Sequence, residues 1–127
     1  MGDGAEQINC VVRSGDSYCS EHDISSIDFL KLDVEGHELK ALQGFRGMLE
    51  DHKIQMIQFE HNENAIRERV FLIDILDFLG PIFRVGKIHP SWVQELSYDD
   101  KMERFYGANY VAVLASNKRL CATVFGD

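Results

Sequence analysis

The sequence predicts an α/β fold built on a mainly parallel sheet. Segments with the apolar pattern of buried strands alternate with segments whose apolar residues recur at helical spacing. This alternation is typical of α/β proteins, in which helices connect parallel strands. The expected strands span residues 27–34, 54–60, 82–88 and 109–115, and the expected helices span residues 37–50 and 65–79.

The first strand and its helix, between Ile27 and Leu49, are the clearest of these elements. The strand segment is mostly apolar, and beyond Gly36 the apolar residues recur every three or four positions. A strand that turns directly into an amphipathic helix is half of a β–α–β unit. The apolar pattern predicts a core formed by Phe29, Leu30, Leu32, Val34, Ile57 and Phe59, with Leu42, Phe45, Val70 and Ile73 packed on it.

The second helix and the last two strands follow in chain order. Asn62 and Asn64 are suitable N-caps for that helix, and Gly80-Pro81 is a strong signal for its end. A loop, rather than an amphipathic helix, separates the strands at 82–88 and 109–115. These two strands are therefore expected to form an antiparallel pair.

Three further segments are less regular. Residues 8–12 form a short β-like run, and a turn is expected at 14–16. The connection at 89–107 is expected to be partly structured or functional because of its length, with a short helix around 99–105. The tail at 120–125 is expected to pair weakly or to pack against the domain.

Composition restricts the class of protein. The 127 residues are expected to form a single domain, 1–127, with its own core. The net charge of −8 argues against nucleic-acid binding, which requires clustered Lys and Arg. No apolar run approaches the length of a membrane span, and the N-terminus has neither the basic region nor the apolar core of a signal peptide. The odd number of cysteines, Cys10, Cys19 and Cys121, favours reduced thiols and a cytoplasmic location.

Charged residues lie where the first two strands end. Asp33 and Glu35 follow the first strand, and Glu60 ends the second. Ligands of open α/β sheets bind at this carboxyl edge, so these carboxylates are candidates to orient a hydroxyl or to accept its proton. Lys31, two residues before Asp33, shares its strand face and is either a substrate contact or an ion-pair partner. The structural alternative is that Asp33 caps the helix and Glu35 faces its positive end.

His61 follows Glu60 and adds a second type of group to this edge. Together with the carboxylates it could hold a substrate or a divalent metal, although no established ligand spacing supports the metal. An isolated histidine at such a position is more often a surface residue. Trp92, Tyr98, Phe105 and Tyr106 in the long connection either line a pocket or anchor the loop to the core.

The segment Ile27-Asp-Phe-Leu-Lys-Leu-Asp-Val-Glu-Gly36, followed by Glu38-Leu-Lys-Ala-Leu-Gln-Gly44, resembles the central signature of FkbM-type S-adenosylmethionine-dependent methyltransferases. The resemblance continues through Ile57-Gln-Phe-Glu60 to Asn109-Tyr-Val-Ala-Val113 and covers the second half of that family's domain. It implies a truncated, Rossmann-like class I methyltransferase sheet that ends in an antiparallel strand pair. It also implies that Asp33, Glu35 and Glu60 are catalytic and that S-adenosylmethionine is the cofactor.

The glycine-rich first half of the family domain has no counterpart in the sequence. The single Gly-x-Gly, Gly2-Asp-Gly4, precedes every expected strand, so it cannot form the turn from strand through glycine loop to helix that such a methyltransferase usually presents to its cofactor. Two functions follow as alternatives. The first is O-methyl transfer to a hydroxyl of a sugar or secondary metabolite, in which the chain depends on a complementary N-terminal half. The second is a non-catalytic binding or assembly module that retains the scaffold.

Self-association is expected from the number of layers. Right-handed crossovers place both long helices on one face of the sheet. The first strand is apolar on both faces, as in a sheet that is covered on both sides. Because an uncovered apolar face is rare in a monomer, the sequence predicts a homodimer or higher oligomer, with residues 8–12 helping to cover the sheet.

Overall fold

The computed structural model describes residues 4–127 as a five-stranded sheet with helices on both faces. The strands lie in the order β1-β2-β5-β3-β4, and only β1 and β2 pair in parallel. The expected strand positions are confirmed, but the expectation of a mainly parallel sheet is wrong. The strands are β1 (Ile27–Leu32), β2 (Ile54–Asn62), β3 (Phe83–Ile88), β4 (Val93–Glu95) and β5 (Tyr106–Leu114).

The last strand explains why antiparallel pairing predominates. β5 lies between β2 and β3 and runs opposite to both. β2 and β3 run in the same direction but do not pair, because β5 separates them. The predicted antiparallel pairing of the last two segments is confirmed, with Phe83 opposite Leu114 and Lys87 opposite Tyr110. The short strand β4, which lies within the 89–107 connection, adds a hairpin at the far edge.

Both long helices that the sequence predicts are interrupted. The first is divided at Phe45, beside the close approach of Gly44 to the backbone of Gly15. The second is divided at Arg69, which adopts a left-handed conformation with φ 56° and ends the first half as a C-cap. The helices are α1 (Gly15–Glu21), α2 (Glu38–Gly44), α3 (Arg46–Glu50), α4 (Asn64–Glu68), α5 (Leu72–Leu79) and α6 (Lys118–Phe125), with short 3-10 turns at Gly80–Ile82 and Asp100–Met102.

Several irregular segments differ from expectation. The expected turn at 14–16 is the start of α1, which Ser14 caps by accepting a hydrogen bond from the Ser17 amide. The tail forms α6 and packs against β5, so the expectation of packing is confirmed and that of strand pairing is not. Residues 8–12 form no strand, and Ile8, Val11 and Val12 are largely exposed. Thus the N-terminal run does not cover the sheet.

The main core lies between one face of the sheet and helices α2, α3 and α5. Leu32, Leu42, Ile57 and Phe59 are buried as predicted, and Leu30, Phe45, Val70 and Ile73 are partly buried. On the other face, α6 packs with Val111 and Val113 of β5. No helix within residues 4–127 has the length and apolar character needed to cross a membrane.

Phe29 and Val34 contradict the predicted core, because they are 47% and 38% exposed. The reason is the position of β1 at the edge of the sheet. Strand alternation directs Phe29 to the face opposite Leu30 and Leu32. On that face α6 covers β5 and neighbouring residues, and Phe29 is left half exposed.

Candidate functional site

Gly36 and Glu38 determine the conformation of the turn between β1 and α2. Gly36 has φ 102°, and a Cβ at this position would lie 2.7 Å from the backbone oxygen of Asn64. Only glycine therefore fits the turn. Glu38, just inside α2, is 4% exposed and accepts hydrogen bonds from the amides of Val34 (3.2 Å) and Gly36 (3.0 Å).

Sequence reasoning missed Glu38 as a site residue. The available signal was an acidic residue in the first turn of a helix, two positions after a glycine, where exposed amides favour a carboxylate. Glu38 fixes the turn that carries Asp33 and Glu35, although it is itself removed from solvent. Its function in the site is one of positioning.

The predicted carboxylates lie at one edge of the sheet. Leu32 pairs with Phe59 in the parallel register, so Asp33 and Glu60 come next along the two strands. Asp33 is exposed and Glu60 is half-buried. Glu35 has φ 51° and accepts a 2.5 Å hydrogen bond from the side-chain amide of Asn64, which joins the turn to α4.

The predicted site residues do not line one common cavity. Lys31 and Glu60 project to one face of the sheet and His61 projects to the other, because neighbouring residues of a strand alternate. Lys31 is exposed and lies opposite Gln58. None of the three predicted carboxylates lines either of the two large cavities described below. The edge carboxylates and these two cavities are therefore separate features of the surface.

His61 is a buried residue and not the surface histidine that its sequence context favours. It is 4% exposed, and its Nε2 atom lies 3.1 Å from the Val70 carbonyl oxygen. A carbonyl only accepts, so Nε2 carries the hydrogen and Nδ1 has a free lone pair in the neutral ring. The His61 ring also contacts Phe105, at 5.1 Å between centroids.

A backbone irregularity lies beside His61. His61 pairs with Ala108, whereas Asn62 pairs with Tyr106, so that Gly107 is left over in β5 with φ 78°. Such bulges redirect side chains and are frequent next to functional sites. This bulge forms part of the wall of a cavity of about 470 Å³.

This cavity, called here the edge cavity, lies on the same face of the sheet as His61. Its other walls come from β3, β4, β5 and the segment 96–107. Glu103 holds that segment against α5, since its carboxylate accepts from the amides of Leu72 (2.8 Å) and Ile73 (2.9 Å). The lining consists of His61, Lys87, Gln94, Leu96, Asp99, Lys101, Met102, Arg104, Phe105, Tyr106, Gly107, Ala108 and Tyr110.

A second cavity of about 660 Å³ lies between α1 and α2, beside Val34. Near its rim, Glu68 binds Lys40 at 2.6 Å and His37 at 3.3 Å. The hydrogen bond from Lys40 lowers the pKa of Glu68, and so this carboxylate stays ionised. Lys40 and His37 are thereby engaged within the chain.

No group of three or more His, Cys, Asp or Glu side chains within residues 4–127 is arranged to hold a metal ion. The alternative in which His61 and the edge carboxylates bind a divalent metal thus has no ligand set in this part of the chain. The strand alternation that separates Glu60 from His61 is the physical reason. What remains is a sheet edge that carries Asp33, Glu35 and Glu60, and a separate cavity on the face of His61.

The chain is thus a mixed α/β domain with carboxylates at the carboxyl edge of its one parallel strand pair. Residues 2–99 match the methyltransferase FkbM domain, so the chain belongs to the FkbM methyltransferase family. The match includes β1, β2 and β3 and ends before β5, so the predicted resemblance at 109–113 lies outside it. No curated protein and no solved structure matches the chain significantly.

Proposed function

We propose that this chain is a methyltransferase domain that uses S-adenosylmethionine to methylate a hydroxyl group of a small molecule or glycan. The observation that carries the proposal is the family match across the β1–turn–α2 unit. In that unit, Gly36 and Glu38 fix a turn at the ligand edge of the sheet. Asp33 and Glu60 follow in register at the same edge.

The residues at this edge suit the charged end of the cofactor. S-adenosylmethionine supplies a methyl group on a cationic sulfonium, and transfer is an in-line displacement that depends on positioning. The exposed carboxylate of Asp33 and the half-buried carboxylate of Glu60 can lie against positive charge. Glu35 is held by Asn64 and so keeps the turn in place beside them.

The adenosine end of the cofactor needs a different kind of site. A strand, glycine-rich loop and helix commonly bind it. The first strand within residues 4–127 is β1, and its turn carries carboxylates rather than a glycine-rich loop. The proposal is therefore that a complementary glycine-rich half completes the cofactor site. Residues 1–3, with part of Gly2-Asp-Gly4, lie outside the described residues.

The chain's own groups would act on the acceptor. In the proposal Asp33, Glu35 and Glu60 orient the acceptor hydroxyl, and a carboxylate accepts its proton as the methyl group is transferred. Lys31, on the face of Glu60, is proposed to bind the acceptor, whereas His61, on the opposite face, is proposed to bind a ligand of the edge cavity. The free Nδ1 lone pair of His61 suits it to accept a hydrogen bond from a hydroxyl.

Calorimetric titration with S-adenosylmethionine tests the proposal. The chain is titrated alone and after addition of a glycine-rich half taken from a family member. Binding is expected in at least the second case, and Asp33→Asn should weaken it by about tenfold, or 1.4 kcal/mol. Asp28→Asn is the matched control, because Asp28 is an exposed carboxylate at the other end of β1. Absence of binding at millimolar cofactor in both cases would contradict the proposal.

A further inference from the structure

The edge cavity carries positive charge in an otherwise acidic chain. The chain has a net charge of −8, yet the lining contains Lys87, Lys101 and Arg104 and a single carboxylate, Asp99. Among residues 4–127, none of these three cations has an ion-pair partner within 4.0 Å. Uncompensated charge in a concave site concentrates ions of the opposite sign.

The only carboxylate of the lining is partly occupied. Asp99 accepts a 2.8 Å hydrogen bond from the Lys101 amide and so caps the 3-10 turn at Asp100–Met102. Arg104 donates through Nε to the Lys101 carbonyl at 3.0 Å, an uncharged acceptor. Lys87, on β3, is the register partner of Tyr110 on β5. The positive charge of the wall is therefore available to a ligand.

Two polar side chains that line the edge cavity are more than nine-tenths buried. His61 is 4% exposed and Tyr110 is 6% exposed. Within residues 4–127, neither His61 Nδ1 nor the Tyr110 hydroxyl has a hydrogen-bond partner. Both atoms retain some solvent accessibility. Burial, followed by the nearby carboxylate of Glu103, raises the pKa of Tyr110, so the phenol stays protonated and can donate.

The rest of the lining is suited to a flat apolar group. Phe105 lies between His61 and Phe71, with its ring centroid 5.9 Å from that of Phe71. Leu96 and Met102 add apolar surface. The wall is fixed in place, because Glu103 binds the start of α5 and also accepts a 3.0 Å hydrogen bond from the Tyr98 hydroxyl.

We propose that the edge cavity binds an aromatic organic anion, a carboxylate or a phosphate monoester. Lys87, with Lys101 and Arg104, holds the charged group, and the ring lies against Phe105. His61 and Tyr110 hydrogen-bond the polar substituents of the ligand. The inference goes beyond the proposed function and does not rest on it, because Asp33, Glu35 and Glu60 do not line this cavity. The binding itself does not require the cofactor.

Amide NMR titrations of the whole chain test the site without S-adenosylmethionine. The probes are para-hydroxybenzoate, para-hydroxyphenyl phosphate and the neutral para-hydroxybenzamide. Either anion should shift the amide signals of His61, Gly107 and the segment 101–105. The neutral ligand para-hydroxybenzamide should bind at least about tenfold more weakly than the anions. Comparison of the two anions shows whether a carboxylate or a phosphate is preferred.

Charge substitutions provide the controls. Lys87→Gln should weaken binding of the preferred anion by about tenfold, and Lys53→Gln should leave it unchanged because Lys53 precedes β2 at the opposite end of the sheet. Arg104→Gln, on an exposed loop position, serves as a second variant if Lys87→Gln disturbs the fold. Equal affinity for the anions and the amide, or undiminished binding by both cavity variants, would overturn the inference.

The two proposals fail in distinguishable ways. If no anion binds the edge cavity, this inference is wrong, whereas calorimetric binding of S-adenosylmethionine can still support methyl transfer. If an anion binds as expected and the cofactor does not bind with or without a complementary half, the anion site stands and the methyltransferase proposal is contradicted.

Discussion

Glu38 gives the sharpest prediction about the turn that organises the candidate site. Its carboxylate is 4% exposed and accepts two amide hydrogen bonds, from Val34 and Gly36. Leaving a buried amide without a partner costs about 1–3 kcal/mol. Glu38→Ala removes both acceptors and should lower the free energy of unfolding by about 2–6 kcal/mol. That is a large part of the 5–15 kcal/mol typical of a domain.

Glu38→Gln separates hydrogen bonding from volume. Glutamine keeps the size of the side chain but offers one acceptor oxygen, so one of the two amides loses its partner. The expected loss is about 1–3 kcal/mol, measured by urea unfolding at neutral pH. Glu50→Gln is the control, because Glu50 is exposed and its 3.7 Å ion pair with Arg46 contributes little. A Glu38→Gln variant within about 0.5 kcal/mol of wild type would refute this explanation of the turn.

Three further predictions concern the core, the C-terminal tail and self-association. Leu32→Ala should lower the free energy of unfolding by about 2–5 kcal/mol in urea, and half-exposed Phe29→Ala by clearly less; equal losses would contradict the assigned faces. Hydrogen bonds from Arg84 lower the pKa values of Glu95 and Asp127, so their stabilisation is present above the ordinary carboxyl pKa and is lost as pH falls. Arg84→Met should therefore destabilise the chain at neutral pH and have little effect by about pH 2, as followed by thermal unfolding; a pH-independent loss would refute this reasoning. Exposed Phe29 at the edge strand favours the proposed homodimer, so Phe29→Glu should shift light-scattering mass towards the monomer, and a monomeric wild type at micromolar concentration would contradict it.

Local pattern predicted the strands well, because a strand needs only a short apolar run. The positions of β1, β2, β3 and β5 agree with the predicted segments to within a few residues. The antiparallel pairing of β3 and β5 was also predictable, since the loop between them contains no crossover helix. Strand order was not predictable in this way, and the exposure of Phe29 follows from that order.

The interruptions of the helices depend on distant residues. α5 begins anew at Leu72 because Glu103, far along the chain, supplies acceptors for its first amides. The division at Phe45 lies beside the approach of Gly44 to Gly15. Helical periodicity continues across both breaks, so the apolar spacing does not indicate them. Gly44 and Gly47, which weaken a helix interior, are the one local signal near Phe45.

The candidate site was predictable only in part, for the same reason. That Asp33 and Glu60 reach one edge follows from parallel pairing, which the β–α–β pattern indicates. His61 is buried through contacts with the Val70 carbonyl and the Phe105 ring. Both residues lie outside β2, so the pattern of that strand does not indicate the burial. The edge cavity depends on the short strand β4 and on the capped 3-10 turn within the segment 96–107, and both have weak local signals.

The most direct test of the methyltransferase account is the effect of Asp33→Asn on turnover relative to its effect on folding. The wild-type chain, supplied with a glycine-rich half, should form S-adenosylhomocysteine from S-adenosylmethionine in the presence of hydroxylated acceptors. Asp33→Asn should reduce that rate by about 100-fold or more while it changes the free energy of unfolding by less than about 1 kcal/mol, because the side chain is exposed. Unchanged turnover would show that Asp33 has no catalytic role, and no turnover by the wild-type pair would contradict the proposed activity.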